Sequence, residues 1–161
     1  MTQNLHNLAY FISSLGPVGT LPAARVWGSA LGIPLLLAGY ALSSWAPGLA
    51  FLFIVGLLAG MLLVSTYARR GLDEEQEGSI ILDRLAGVIV ALMWLPQLTV
   101  KFVLFGFAVF HMWLFVSVLA QRVYAYDNKT VSNNVILRSS EIILIAVMSN
   151  IALQFIWWVT H

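Results

Sequence analysis

The segment EGSIILDRLAGVIVALMWLP, residues 77–96, carries a charged pair into an otherwise apolar stretch. Asp83 and Arg84 lie near the start of the helix that this stretch predicts, directly after an acidic loop over residues 73–77. A charged side chain at the centre of a membrane span costs roughly 2.5–3.5 kcal/mol. Charges in this position mark either a functional site or a buried ion pair.

The composition places the whole chain in a membrane. Of its 161 residues, 60% are hydrophobic and 9% are charged, whereas soluble domains carry about 25% charged residues. This length and composition predict a single all-α integral membrane domain over residues 1–161. The absence of cysteine excludes disulfides and thiolate chemistry. The net charge of +1 without a basic patch gives no basis for nucleic-acid binding.

The apolar segments predict about five transmembrane helices. A preceding apolar stretch, Leu8–Leu15, is too short to cross a bilayer and predicts an N-terminal interfacial or re-entrant helix. The predicted spans are Trp27–Trp45, Leu49–Tyr67, Ser79–Leu98, Phe102–Ala120 and Glu141–Val159.

Small and cyclic residues inside the spans predict local features. Pro34 should kink the first span, and the pair Gly56 and Gly60 on the second has the spacing of a helix-packing face.

On the fourth span we expect His111 to be a hydrogen-bonded core histidine, since the alternative, a bis-histidine haem site, lacks a partner. Asn150 and Gln154 on the fifth span lie one turn apart and predict interhelical hydrogen bonds.

Basic residues predict the orientation. Seven of the eight fall on one side of the five spans, and only Lys101 falls on the other. The positive-inside rule then places the charged loops in the cytoplasm and the C-terminus in the periplasm of a bacterial inner membrane. These seven residues set the topology; they are Arg25, Arg69, Arg70, Arg84, Arg122, Lys129 and Arg138. An alternative role for five of them is to bind the phosphate of anionic phospholipid headgroups; these are Arg25, Arg69, Arg70, Arg84 and Arg122.

Two segments resemble the phosphatidylglycerophosphatase A family. Residues 78–87, GSIILDRLAG, are similar to the family's Ser-Ile-Val-x-Asp-Glu-x-x-Gly segment. Residues 21–34, LPAARVWGSALGIP, are similar to its Leu-Pro-x-Ala-Pro-Gly-Thr-Trp-Gly-Ser-x-x-Gly-Ile-Pro segment. The resemblance implies a bundle of membrane helices and a magnesium-dependent lipid phosphatase, with Asp83 and Glu141 as catalytic metal ligands and Glu77 as a possible third ligand.

The chain also departs from the family pattern. The glutamate that follows the aspartate is Arg84 here, and the Asp-Asp that opens the last span is Ser140-Glu141. The segment after Phe110-His111 lacks the family's aspartate and its Lys-Pro-x-Pro turn.

These departures leave two functions open. One is a catalytically degenerate relative that acts as a small membrane subunit or lipid-binding partner of a larger complex, with Arg84 between Asp83 and Glu141 in a buried ion cluster. In that case we expect a contact surface for other membrane subunits on the fourth span, formed by Phe102, Phe105, Phe107 and Phe110. The other is an active Mg²⁺-dependent phosphatidylglycerophosphate phosphatase.

Overall fold

The computed structural model describes residues 2–70, 79–93, 99–127 and 135–160, and every regular element in these ranges is helical. The N-terminal part contains α1 and a short 3₁₀ helix before the first long apolar segments. In chain order the elements are α1 (Thr2–Ser13), the 3₁₀ helix (Gly16–Thr20), α2 (Ala24–Ala30), α3 (Gly32–Ser43), α4 (Pro47–Ala68), α5 (Leu82–Leu92), α6 (Val100–Asp127) and α7 (Val135–Thr160).

Four helical segments in the described ranges are long and apolar enough to cross a bilayer, which confirms an all-α membrane protein. They correspond to the first, second, fourth and fifth predicted spans. Their bounds are Ala24–Ser43, Pro47–Ala68, Val100–Ala120 and Ser140–Thr160.

The first of these segments is broken into α2 and α3 at Leu31. Pro34 explains the position of the break, because a proline ring clashes with the carbonyl four residues earlier and offers no N–H to it. That carbonyl belongs to Ala30, the last residue of α2. The predicted kink is therefore confirmed, and it lies about one turn before the proline.

The third predicted span differs from the others. Its described helix, α5, has 11 residues, so it is about 16 Å long and cannot cross a core of about 30 Å by itself. The predicted C-terminal end, residues 94–98, lies outside the described part of the chain. Most of α5 is buried, including Asp83, Ala86, Val88 and Ala91, each no more than 1% exposed. This helix is surrounded by protein rather than by lipid.

The chain divides into two compact units, Met1–Ile89 and Val90–His161. In the first unit, α3 and α4 form a helical hairpin joined by the short connection at residues 44–46, and α1 packs against α4. The 3₁₀ helix contacts both α1 and α2. Because α1 has only 12 residues, the prediction of a short N-terminal helix is confirmed, although it begins six residues earlier than expected.

In the second unit, α6 and α7 pack against each other beside the end of α5. A Cβ atom on Gly106 would lie 2.6 Å from Leu92 and 3.0 Å from Leu153, so the glycine permits this approach. The Asn150 side-chain amide donates to the carbonyls of Ala91, at 3.0 Å, and Met93. The predicted interhelical role of Asn150 is confirmed.

Three further sequence predictions can be compared with the structure. His111 Nδ1 lies 2.9 Å from the Phe107 carbonyl, so it is hydrogen-bonded as expected. No described atom lies within 4 Å of a Cβ placed on Gly56 or Gly60, so these glycines pack against nothing in the described part of this chain. The proposed aromatic contact surface was wrong in one member, since Phe110 is 0% exposed and belongs to the core.

Candidate functional site: an arginine cluster around Asp83

Asp83 lies in the first turn of α5 with its carboxylate fully buried. Its Oδ2 atom forms a salt bridge with Arg69, the C-cap residue that follows α4, which is itself only 7% exposed. The other oxygen, Oδ1, accepts a hydrogen bond of 2.7 Å from the backbone N–H of Arg84. The helix start therefore holds a buried ion pair with both carboxylate oxygens engaged.

The segment before Asp83 is fastened to the N-terminal part of the chain. The Ile81 N–H donates to the Ser13 carbonyl at 2.9 Å, and the hydroxyls of Tyr10 and Ser79 are hydrogen-bonded at 2.8 Å. These bonds tie the start of α5 to α1. They limit how far the Asp83 backbone can move relative to α1, and they were not predicted from the sequence.

The two segments that resemble the phosphatidylglycerophosphatase A motifs lie directly against each other. A Cβ atom on Gly28 would lie 2.8 Å from Cδ1 of Ile81, and one on Gly32 would lie 3.0 Å from the carbonyl oxygen of Leu85. The spacing of four residues puts both glycines on one side of the α2–α3 segment. The small residues of the first motif thus form the surface on which the second motif packs.

Arg84 is a second cation at this site, and Arg25, a third cation, affects the pKa of Arg84. Its pKa is lowered to about 10, chiefly because burial disfavours the charged form. The positive charge of Arg25 also lowers this pKa, the carboxylate of Asp83 raises it, and Arg69 lowers it again. At neutral pH Arg84 therefore remains charged, within electrostatic reach of all three groups.

We call Arg25, Arg69 and Arg84, together with the Asp83 carboxylate, the arginine cluster. Its described members carry three positive charges and one negative charge. Arg25 stands at the start of the first spanning segment and Arg69 at the end of the second. Because those segments form a hairpin, both arginines lie at the same end of it.

The structure does not bring all the predicted site residues into this cluster. Arg70 is exposed beside it, while Glu77 and the side chain of Arg122 lie outside what the structure describes. Glu141, at the start of the last spanning segment, accepts a hydrogen bond from the hydroxyl of Ser117. The expected partner of Asp83 was wrong: its cation is Arg69, and Arg84 contributes its backbone N–H.

The predicted spans could have placed Asp83 and Arg69 at the same end of their helices, although they do not show that the two residues form a pair. Arg69 ends one predicted span and Asp83 begins the next, 14 residues later, so a short connection holds both at the same membrane face. Ser117, within α6, and Glu141, within α7, also lie near the ends of two consecutive predicted spans. The sequence signal in both cases was the position of a polar residue near the end of a predicted span rather than a motif.

The surroundings of Asp83 differ from those of a magnesium site. Magnesium prefers octahedral oxygen ligands, commonly one or two carboxylates with water and substrate phosphate. Asp83 already accepts bonds on both oxygens, and a cation beside it would meet the charges of three arginines. No group of three histidine, aspartate or glutamate side chains converges anywhere in the described ranges. These residues do not fit a magnesium ion at Asp83.

The helices and the arginine cluster at one end of their hairpin define a multi-helix membrane protein with a buried ion pair. Comparison with protein families finds a match to phosphatidylglycerophosphatase A over residues 11–115, more than half of the chain. The chain belongs to the phosphatidylglycerophosphatase A family. Comparison with curated proteins and with solved structures returns no match.

Proposed function

We propose that this chain is a phosphatidylglycerophosphatase A-like inner-membrane protein that binds the phosphate of anionic phospholipid headgroups without turning it over. The observation that carries this proposal is the arginine cluster, in which the described carboxylate is already neutralised by Arg69. Family membership connects the chain with phospholipid metabolism, and the cluster supplies a reason for it to recognise a phosphate.

The charge and chemistry of the cluster suit a phosphate oxygen. Guanidinium groups present several N–H donors in a planar fork and bind phosphate through two parallel hydrogen bonds. Arg25 is partly exposed on α2, and it is followed by Val26 and Trp27, which are 42% and 68% exposed. A lipid bound at Arg25 would meet apolar side chains immediately beyond its headgroup.

The loss of catalysis is supported by substitutions at positions that matter in the family pattern. Arg84 replaces an acid beside Asp83, and the lysine expected in the segment after His111 is missing. The acid retained at the last span, Glu141, accepts a hydrogen bond from Ser117. A chain that keeps its fold and cluster while losing these groups is better suited to holding a headgroup than to hydrolysing it.

A role as a small subunit of a larger membrane complex is part of the same proposal. The fourth predicted span still presents Phe105, which is 47% exposed, and Trp113, which is 40% exposed. Aromatic side chains are enriched at protein interfaces. Isolation of the tagged protein in mild detergent should recover partner subunits; recovery as a strict monomer would argue against this part.

An active phosphatidylglycerophosphate phosphatase is the second candidate, and the family match favours it. In that case Asp83, Glu141 and Glu77 would be the acids on which turnover depends. The two candidates predict opposite results for phosphate release by the purified protein. We expect none, with or without magnesium; release that requires magnesium and disappears in Asp83→Asn would establish the enzyme instead.

Binding is tested separately from turnover. In a neutral detergent, glycerol phosphate should bind the wild-type protein, and Arg25→Gln should weaken this binding about tenfold, the size expected for one charge-assisted hydrogen bond. Arg70→Gln removes the same charge from an exposed position next to the cluster. It should leave the affinity within about twofold of wild type, because an exposed charge is screened by solvent.

A further inference from the structure

The buried guanidinium of Arg69 already has an anionic partner within the chain, the carboxylate of Asp83. A carboxylate that engages this arginine presents the same chemistry to it as a phosphate does: a negatively charged oxygen that accepts N–H bonds. Asp83 fills that role from within the chain, held in place by Arg69 on one oxygen and the Arg84 N–H on the other.

We infer that Asp83 is an internal counter-anion of the arginine cluster, which an incoming phosphate must compete with for Arg69. The inference rests on the proposed function and assigns Asp83 a role opposite to that of a metal ligand. A catalytic carboxylate is needed for the hydrolysis of the phosphate ester. A competing carboxylate lowers the affinity of the arginine cluster for phosphate.

The geometry supports competition over simple support of the site. Asp83 is fully buried and Arg69 is nearly so, so their attraction is only weakly screened and the pair is strongly held. Arg84 lies within electrostatic reach of Arg25, Arg69 and Asp83, so the positive charges around the pair repel one another. An added anion relieves that repulsion, while Asp83 limits how much of the Arg69 charge is available to it.

Competition predicts that the loss of the Asp83 charge raises the affinity for phosphate. Asp83→Asn keeps the size of the side chain and an acceptor oxygen but removes the negative charge. The variant should therefore bind inorganic phosphate about tenfold more tightly than wild type, the factor expected when a charged hydrogen-bond competitor is removed. A supporting or metal-binding Asp83 predicts weaker binding or no change, and either of those results would overturn the inference.

The experiment compares four proteins in neutral detergent by isothermal titration calorimetry with inorganic phosphate. They are the wild type, Asp83→Asn, Arg69→Gln and the double variant Arg69→Gln with Asp83→Asn. Circular dichroism and size-exclusion chromatography establish that each one is folded. Arg69→Gln leaves the Asp83 carboxylate without its cation, so we expect it to lose phosphate binding at least about tenfold.

The double variant keeps the inference testable if Asp83→Asn does not fold. It removes the buried pair together, which avoids leaving a lone buried charge. The double variant lacks the cation for which phosphate and Asp83 compete, so its affinity for phosphate should fall at least about threefold below wild type. An affinity equal to or above that of wild type would show that phosphate does not use Arg69, and would overturn the inference.

Failure of the inference can be told apart from failure of the proposed function. Binding by the wild type that is unchanged or weakened in Asp83→Asn rejects the competition and leaves headgroup binding in place. Absence of binding in every folded variant rejects both. Binding that appears only in Asp83→Asn supports the competition and rejects headgroup binding by the natural protein.

A second arm distinguishes a lipid headgroup from free phosphate. Vesicles of phosphatidylcholine containing phosphatidic acid are mixed with the same four proteins in nanodiscs, and lipid transfer is measured by mass spectrometry. If the ligand is lipid-borne, the order of affinities found with inorganic phosphate should recur, with tighter binding throughout. If the order of affinities is found with inorganic phosphate and not with phosphatidic acid, the ligand of the arginine cluster is a soluble anion.

Discussion

Two residues between α1 and α2 have left-handed backbone conformations although neither is glycine. Ala23, the residue before α2, has a φ of +58°, and Leu15, before the 3₁₀ helix, has a φ of +54°. This region costs an L-residue roughly 1–2 kcal/mol because Cβ approaches the following carbonyl. The strain at Ala23 is located two residues before Arg25, so it belongs to the segment that presents this cation.

Replacing Ala23 by glycine should release this strain. We expect Ala23→Gly to raise the stability of the purified protein by about 1 kcal/mol, because glycine adopts this conformation without a Cβ penalty. Thermal unfolding followed by circular dichroism in detergent measures the change. The matched control is Ala24→Gly, which lies inside α2 and should lower stability by about 1 kcal/mol. Equal effects of the two changes would contradict the assigned backbone strain.

Gly28 is the residue that permits the two motif segments to touch. Gly28→Ala should destabilise the protein by about 1–3 kcal/mol, because the added methyl overlaps the side chain of Ile81 in a buried contact. Gly56→Ala is the control, since nothing described lies within 4 Å of its added methyl. Adding Ile81→Ala to Gly28→Ala should recover part of the loss. A Gly56→Ala effect as large as that of Gly28→Ala would show that the overlap is not the cause.

At the scale of elements, α5 is the helix that both units of the chain share in sequence. It begins at the ion pair of Asp83 and ends at Leu92, where its last carbonyls would otherwise have no helical partner. Asn150, near the middle of the last spanning segment, donates to the carbonyls of Ala91 and Met93. Within a bilayer, backbone carbonyls without a helical partner are tolerated only when other groups of the protein donate hydrogen bonds to them.

Removing this cap should weaken the protein measurably. Asn150→Leu keeps the number and branching of the side-chain heavy atoms but leaves two carbonyls without their donor, so we expect a loss of about 1–2 kcal/mol. Ser149→Ala tests the neighbouring buried position, where the hydroxyl donates only to its own helix, at 2.8 Å from the Ile145 carbonyl. It should cost less than about 0.5 kcal/mol. Thermal unfolding of both variants in one detergent decides the comparison.

At the scale of the molecule, the large exposed apolar side chains are explained by a bilayer. Leu144, Phe115 and Phe155 are each more than 60% exposed in the absence of lipid. Such exposure across the spanning segments would promote aggregation in water, whereas in a membrane acyl chains cover these surfaces. The arginine cluster lies at one end of the α3–α4 hairpin. The direction in which the hairpin is inserted therefore decides which side of the membrane supplies its ligand.

The positive-inside distribution predicts that this end faces the cytoplasm. Because the chain has no cysteine, single cysteines report topology without background. Trp45→Cys lies in the connection between α3 and α4, where Trp45 is 90% exposed, and it should react with a membrane-impermeant maleimide in intact cells whose outer membrane is permeable. Thr20→Cys, before α2, should react only after the inner membrane is opened. The reverse pattern would place the arginine cluster in the periplasm.

The sequence by itself determined the membrane class, four of the spans, the break caused by Pro34 and the two family segments. Each of these depends on residues close together in the chain, because hydropathy and proline geometry act locally. The tertiary structure decided that Asp83 pairs with Arg69, that Gly28 receives Ile81 and that Asn150 caps α5. Those contacts depend on which helix ends and faces are brought together. Adjacent charges such as Asp83 and Arg84 cannot show from their order alone which distant cation the carboxylate will bind.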